Sequence, residues 1–106
     1  NEPGVFYIQA LINNDGDSSL LQYKKIIERF PDSEYASLSS MKLGEYLFAR
    51  GLYSQASSQL KKSIFEYPKA DYHQRALDLM INSYIATGEQ DSAKMSLILI
   101  RKKECF

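Results

Sequence analysis

Few side chains in this chain are of a type that does chemistry. His73 is its only histidine and Cys105 its only cysteine. A triad drawing on a second histidine, a multi-histidine metal site, an internal disulfide and a thiolate cluster are therefore excluded within the chain. His73 follows Tyr72 near an expected helix start, which points to a surface position. Cys105 stands next to last with no motif around it and reads as an incidental free thiol. Asp15-Gly16-Asp17 has the look of a calcium loop, but Asn13 to Leu21 lacks the full ligand series and the closing Glu. Turn formation accounts for these residues. Asp32 and Glu34 sit together on a turn, where carboxylates suit the N-terminal end of a helix. No Gly-rich phosphate loop is present. The expectation is a chain without catalytic residues, cofactor or metal, and thus not an enzyme.

Charge narrows the choice further. Thirteen basic residues face thirteen acidic ones over 106 residues. That neutrality argues against gripping a nucleic-acid backbone, which needs a basic face. Lys61-Lys62 and Arg101-Lys102-Lys103 are the basic clusters, and each reads as solvating a helix end, where the dipole favours cations. Eight Tyr and five Phe would suit a stacking platform for bases. However, Tyr23, Phe30, Tyr67 and Tyr84 fall at repeated positions expected to be core. The longest apolar run, Leu97-Ile98-Leu99-Ile100, is far short of the ~20 residues that span a bilayer. Apolar residues at 44% and charged residues at 25% indicate one ordinary globular domain.

The feature that organises the chain is an internal repeat, the first thing to seek in a sequence of this kind. Phe30-Pro31-Asp32-Ser33-Glu34-Tyr35 returns as Tyr67-Pro68-Lys69-Ala70-Asp71-Tyr72, an offset of 37 residues. The same offset links Gly51 to Gly88, Ala56 to Ala93, Leu60 to Leu97 and Ile27 to Ile64. The chain thus holds nearly three units, roughly residues 1–31, 32–68 and 69–106.

Each unit reads as two helices. Ser33 to Arg50 carries Leu38, Met41, Leu43, Leu47 and Phe48 at the three- and four-residue steps of one helical face. Gly51 ends it, because Gly accepts the left-handed conformation past a helix terminus. Ser54 is the expected N-cap of the next helix, whose face is Ala56, Leu60, Ile64 and Tyr67, and Pro68 stops it. The pattern then repeats. Ala70 or Asp71 starts a helix bearing Ala76, Leu77, Met80, Ile81, Tyr84 and Ile85. Gly88 ends it, and Asp91 caps a helix with Ala93, Leu97 and Ile100. Upstream, Val5 to Ile12 reads as the end of one helix, and Asp17 or Ser18 caps another carrying Leu20, Tyr23, Ile27 and Phe30. Strand signals are weak. The expectation is all-α: six helices in three antiparallel hairpins. Gly44, inside a helix where Gly costs ~1 kcal/mol relative to Ala, is expected to let its neighbour approach closely.

These residues resemble the tetratricopeptide repeat. In that family a Leu-Gly pair lies in the first helix, an aromatic follows three residues after the Gly, an Ala opens the second helix and a Pro closes the unit. Leu43-Gly44, Ala56 and Pro68 match, with Leu47 where the aromatic is expected. Tyr84 and Ala93 match in the following unit, where Ile81 replaces the Gly. Trp is absent, and Ser40 and Leu77 stand at the early aromatic position. The resemblance implies a right-handed α-solenoid of about three hairpins. The period exceeds the family's usual length, with the excess at the Pro-containing connection. That junction looks like repeats of bacterial envelope proteins, of the outer-membrane assembly lipoprotein and Tol-Pal coordinator type. This implies a periplasmic or outer-membrane-associated adaptor. The opening Asn1-Glu2-Pro3-Gly4, with no initiator Met or signal peptide, leads us to expect a portion of a longer protein.

In such a solenoid the first helix of each hairpin lines a concave groove. The family's groove positions map onto Leu38, Met41, Glu45 and Phe48, and 37 residues on onto Arg75, Asp78, Asn82 and Ile85. Met41 would adapt to varied partners through its flexible thioether. Glu45 and Asp78 disfavour a clamp for a C-terminal carboxylate, so the expected partner is a protein or peptide segment held by apolar and polar contacts. Two other roles compete with this one: a structural spacer within a larger envelope protein, and self-association through apolar solenoid ends.

Overall fold

The computed structural model describes residues 2–13 and 16–104; Asp15 and Cys105 lie outside them. Among the described residues there are six α-helices and no strand: α1 (Glu2–Ile12), α2 (Gly16–Arg29), α3 (Glu34–Ala49), α4 (Tyr53–Glu66), α5 (His73–Ala86) and α6 (Gln90–Glu104). None is long and apolar enough to cross a membrane.

The 37-residue offset reappears bond for bond. Gly51 and Gly88 both adopt φ +77°, a region that costs a side chain but not Gly. Each donates its N–H 3.0 Å to a carbonyl three residues back, Phe48 and Ile85 respectively. The following residues close the helix end, Leu52 N–H to Leu47 O at 3.0 Å and Glu89 N–H to Tyr84 O at 2.7 Å. This pair of bonds is the Schellman arrangement, and it satisfies carbonyls the helix itself leaves open.

That turn also explains why α4 and α6 begin earlier than expected. The carbonyls of Leu52 and Glu89 already accept from Ala56 and Ala93, at 2.8 and 3.1 Å. The helix therefore starts as soon as the turn is finished. Ser54 and Asp91 lie within the first turn instead of capping it.

The Pro-containing junctions show the opposite case, one backbone with two outcomes. Ser33 N–H bonds Phe30 O at 3.1 Å, and Ala70 N–H bonds Tyr67 O at 3.2 Å. Ser33 then caps α3 through Oγ, which accepts from Ala36 N–H at 3.1 Å. Ala70 has no side-chain oxygen, and α5 starts only at His73, after Tyr72 and without a side-chain cap. The expected start at Ala70 or Asp71 is corrected accordingly.

The helices form two layers within a slab whose thinnest extent is 18 Å, about two interaxial spacings of 8–10 Å. Consecutive helices pack together, and α3 also touches both α1 and α5. The odd-numbered helices thus run side by side. The core has two parts with α3 as the wall between them. Leu43 joins Tyr7, Ala10, Tyr23 and Ile26 on one side. Met41 joins Ala56, Leu60, Ile64, Ala76, Met80, Tyr84, Ala93 and Ile100 on the other. On α2 it is Ile26 that is fully buried, with Ile27 only partly so. A Cβ on Gly44 would lie 2.5 Å from Leu60 Cδ2 and 2.8 Å from its Cγ, so the close α3–α4 approach requires Gly there.

Candidate functional site

The eight residues expected to line a groove divide by depth. Glu45 and Arg75, 30 positions apart, meet: Nη2 and Nε of Arg75 donate to Glu45 Oε2 at 3.0 and 3.2 Å. This ion pair ties α3 to α5 on their outer surface. Asp78 accepts from Gln74 Nε2 at 3.0 Å, and Asn82 is exposed beside it in sequence register. Ile85 is 54% exposed, and Leu38 is exposed as well. Phe48 is half-buried, edge-on to Tyr53 at 5.3 Å and packed against the second core cluster. Met41 must be withdrawn from the surface set. It is 4% exposed and belongs to the core, because α3 turns this position toward α4 and α5. Its thioether fills space inside the protein and is out of a partner's reach.

Two residues on this surface escaped the sequence reading. Stepping back 37 positions from Glu45 and Phe48 gives Ile8 and Leu11. Ile8 is 58% exposed, and Val5, Leu11 and Ile12 on the same helix are exposed too. The repeat offset carries the signal for both residues. The odd-numbered helices thus present one surface with apolar residues at both flanks and the Glu45–Arg75 pair in the middle.

The other layer holds a trough. Helices α2 and α4 stand over α3 with a cleft of about 570 Å³ between them, floored by Leu20, Leu43 and Leu47. Lys24 and Lys62 stand on its two walls with Gln55 and Gln59. A second hollow of about 340 Å³ shares Lys24, Leu43, Gln59 and Lys62 with it and continues to Glu28 and Glu66. Lys62 is thus a wall residue, and the last turn of α4 carries no basic side chain. The helix-end role read for Lys61-Lys62 does not hold. Beneath the trough, Gln59 Nε2 donates to Ser40 Oγ at 2.9 Å, Ser40 and Ser63 share a hydroxyl–hydroxyl bond, and Ser63 Oγ donates to Gln59 O at 3.0 Å.

The second junction is tied to the first and to α3. Tyr67 OH donates to Pro31 O at 3.2 Å, and Ser37 Oγ donates to Tyr72 OH at 3.0 Å. Burial pushes the Tyr67 and Tyr72 phenols above their ordinary range, with Glu66 adding to both. Burial likewise raises Tyr7 and Tyr23. Phenols raised in the fold contribute stability that is complete below about pH 10 and is lost as pH climbs through the folded values. His73 is half-buried, its Nδ1 shut from solvent, and not the surface residue that was expected. Among the described residues no group of three or more His, Cys, Asp or Glu is placed to hold a metal ion.

Set against family models, curated proteins and solved structures, the chain matches none.

Proposed function

We propose that this chain is a tetratricopeptide-type scaffold, a right-handed solenoid in arrangement, that binds a protein or peptide segment across α1, α3 and α5. The observation that supports this reading is the run of neighbouring odd-numbered helices with wholly or partly exposed side chains at two sets of repeat-equivalent positions, Ile8, Glu45 and Asn82, and Leu11, Phe48 and Ile85. Ile8 and Leu11 on α1, Glu45 on α3 and Arg75, Asp78, Asn82 and Ile85 on α5 belong to three different helices of one layer. Side chains at such positions read successive points along one extended or helical ligand. The paired charges of Glu45 and Arg75 leave the centre without a net charge to seize a carboxylate. An apolar contact at each flank with Asn82 and Asp78 as polar guides suits a mixed segment. From the resemblance of its Pro-containing junctions, we read the setting as the bacterial envelope.

A displayed peptide library selected on this chain tests the reading. Selected peptides should lose at least tenfold in affinity for the Ile8→Asp/Ile85→Asp variant, measured by fluorescence anisotropy, while its helical circular dichroism is unchanged. Both residues are exposed, so folding should tolerate the change. Undiminished binding would remove this surface from consideration. Met41→Asp serves as the contrast: it should unfold the protein and so says nothing about the surface.

A further inference from the structure

We propose that the trough between α2 and α4 receives helix α6 of a second copy of this chain, and reciprocally. The case begins with α6, whose inner face is satisfied by Ala93, Ser96 and Ile100, all buried. Its outer face nonetheless carries Met95, Ile98 and Leu99, 57%, 50% and 45% exposed. These occupy one helical face, at i, i+3 and i+4. The repeat does not account for them: 37 residues earlier stand Ser58, Lys61 and Lys62, polar side chains in the ordinary pattern of an outward surface. Two offsets back stand Leu21, Lys24 and Lys25, so among the three even-numbered helices only α6 is apolar at all three positions. Asp91 lies one turn before it and Lys102 one turn after it.

The trough has the complementary order. Its apolar floor of Leu20, Leu43 and Leu47 gives way at one end to Glu28 and Glu66. A short connection on either side of α3 reverses the chain twice, so α2 and α4 run in the same direction. If α6 of the second copy lies parallel to them, Lys102 meets Glu28 and Glu66. Met95 and Leu99 then rest on the leucine floor. Asp91 reaches the N-terminal end of the trough, where helix dipoles favour an anion. The opposite orientation would set Asp91 against the two glutamates. The lengths agree as well: Asp91 to Lys102 rises about 17 Å along a helix, and Ser54 to Glu66 about 18 Å. Lys24 and Lys62 can lay their aliphatic stems along the guest helix and keep their ammonium groups in water.

One such contact is small. Three half-exposed side chains fall short of the roughly 800 Å² per partner of a stable interface. A two-fold axis parallel to the helices preserves helix direction and reverses the order of the stack, so it can seat both α6 helices at once. The contact is then used twice in a closed dimer.

Sedimentation velocity over a wide protein concentration range tests this. The expected result is a monomer–dimer equilibrium whose dissociation constant rises at least tenfold in Met95→Glu/Leu99→Glu. Glu28→Lys/Glu66→Lys should weaken the dimer at least threefold, and adding Lys102→Glu to it should restore the original value within twofold. Circular dichroism checks that each variant stays helical, and the charge exchange keeps the test valid if the α6 variant unfolds. A monomer at all concentrations overturns the proposal. So does a dimer that ignores these changes and is broken instead by Ile8→Lys/Ile12→Lys on α1. The odd-numbered face is not involved, so loss of peptide binding there leaves this result unaffected.

Discussion

In the middle hairpin, Leu60 lies over Gly44 and is fully buried. At the corresponding places in the last hairpin stand Leu97 and Ile81, and Leu97 stays half-exposed. The backbone of the two hairpins is nearly the same: identical glycine turns, the same φ and the same hydrogen bonds. Yet α6 touches α5 less extensively than α4 touches α3. The repeat conserves the path of the chain, and the side chains at the joint differ, with Gly44 under Leu60 in one hairpin and Ile81 beside Leu97 in the other. Gly44 costs ~1 kcal/mol of helix propensity, and full burial of a Leu contributes roughly 1.5–3 kcal/mol, so the exchange favours the close joint. Ile81 forgoes both the cost and the closeness.

This contrast can be broken from either side. The largest effect should come from Leu60→Ala, about 3–5 kcal/mol of destabilisation in urea unfolding, since it empties a site with no room to collapse. Leu97→Ala should cost about 1–2 kcal/mol, because part of that side chain already meets water. If the two losses were equal, the hairpins would not differ in depth. Next comes Gly44→Ala, expected to destabilise by about 1–3 kcal/mol through overpacking against Leu60, although helix propensity alone would favour it. A stabilised Gly44→Ala protein would show that α4 can retreat freely. Gly51→Ala and Gly88→Ala sharpen the shared part of the comparison. Each should cost about 1 kcal/mol for placing a side chain at positive φ, and the two thermal shifts should agree. The smallest effect belongs to Arg75→Ala, well under 1 kcal/mol by chemical denaturation, since an exposed ion pair is weak.

Much of the architecture was legible in the sequence because the repeat acts through glycine and proline, whose backbone preferences are local. Gly51, Gly88 and Pro68 mark helix ends whatever surrounds them. The failures are just as physical. Helix starts were read from cap-forming side chains at Ser54 and Asp91, but the Schellman turn begins the next helix without one. Met41 was read as a surface residue because a position in a repeat fixes a helix and a height and leaves rotation about the axis uncertain by one residue. The same uncertainty exchanged Ile27 for Ile26. The trough was invisible because it belongs to two helices that are not consecutive, and the space between them depends on α3. Part of the proposed binding surface was readable, since Glu45, Arg75, Asp78, Asn82 and Ile85 do share a layer. Ile8 and Leu11 needed only one more step of the offset.

The hydroxyl and amide cluster of Ser40, Ser63 and Gln59 bears on how such an array could grow. At the matching positions of the last hairpin stand Leu77, Ile100 and Ser96. A joint that is polar in one unit and apolar in the next is a lock cut for its own key. All three partners lie within one hairpin, α3 and α4, as Leu77, Ile100 and Ser96 lie within α5 and α6. Exchanging a single helix between units would set serines against leucine and isoleucine, each unmatched hydroxyl costing about 1–3 kcal/mol, whereas a whole unit carries its own joint with it. An array of this kind grows by copying whole hairpins and not single helices.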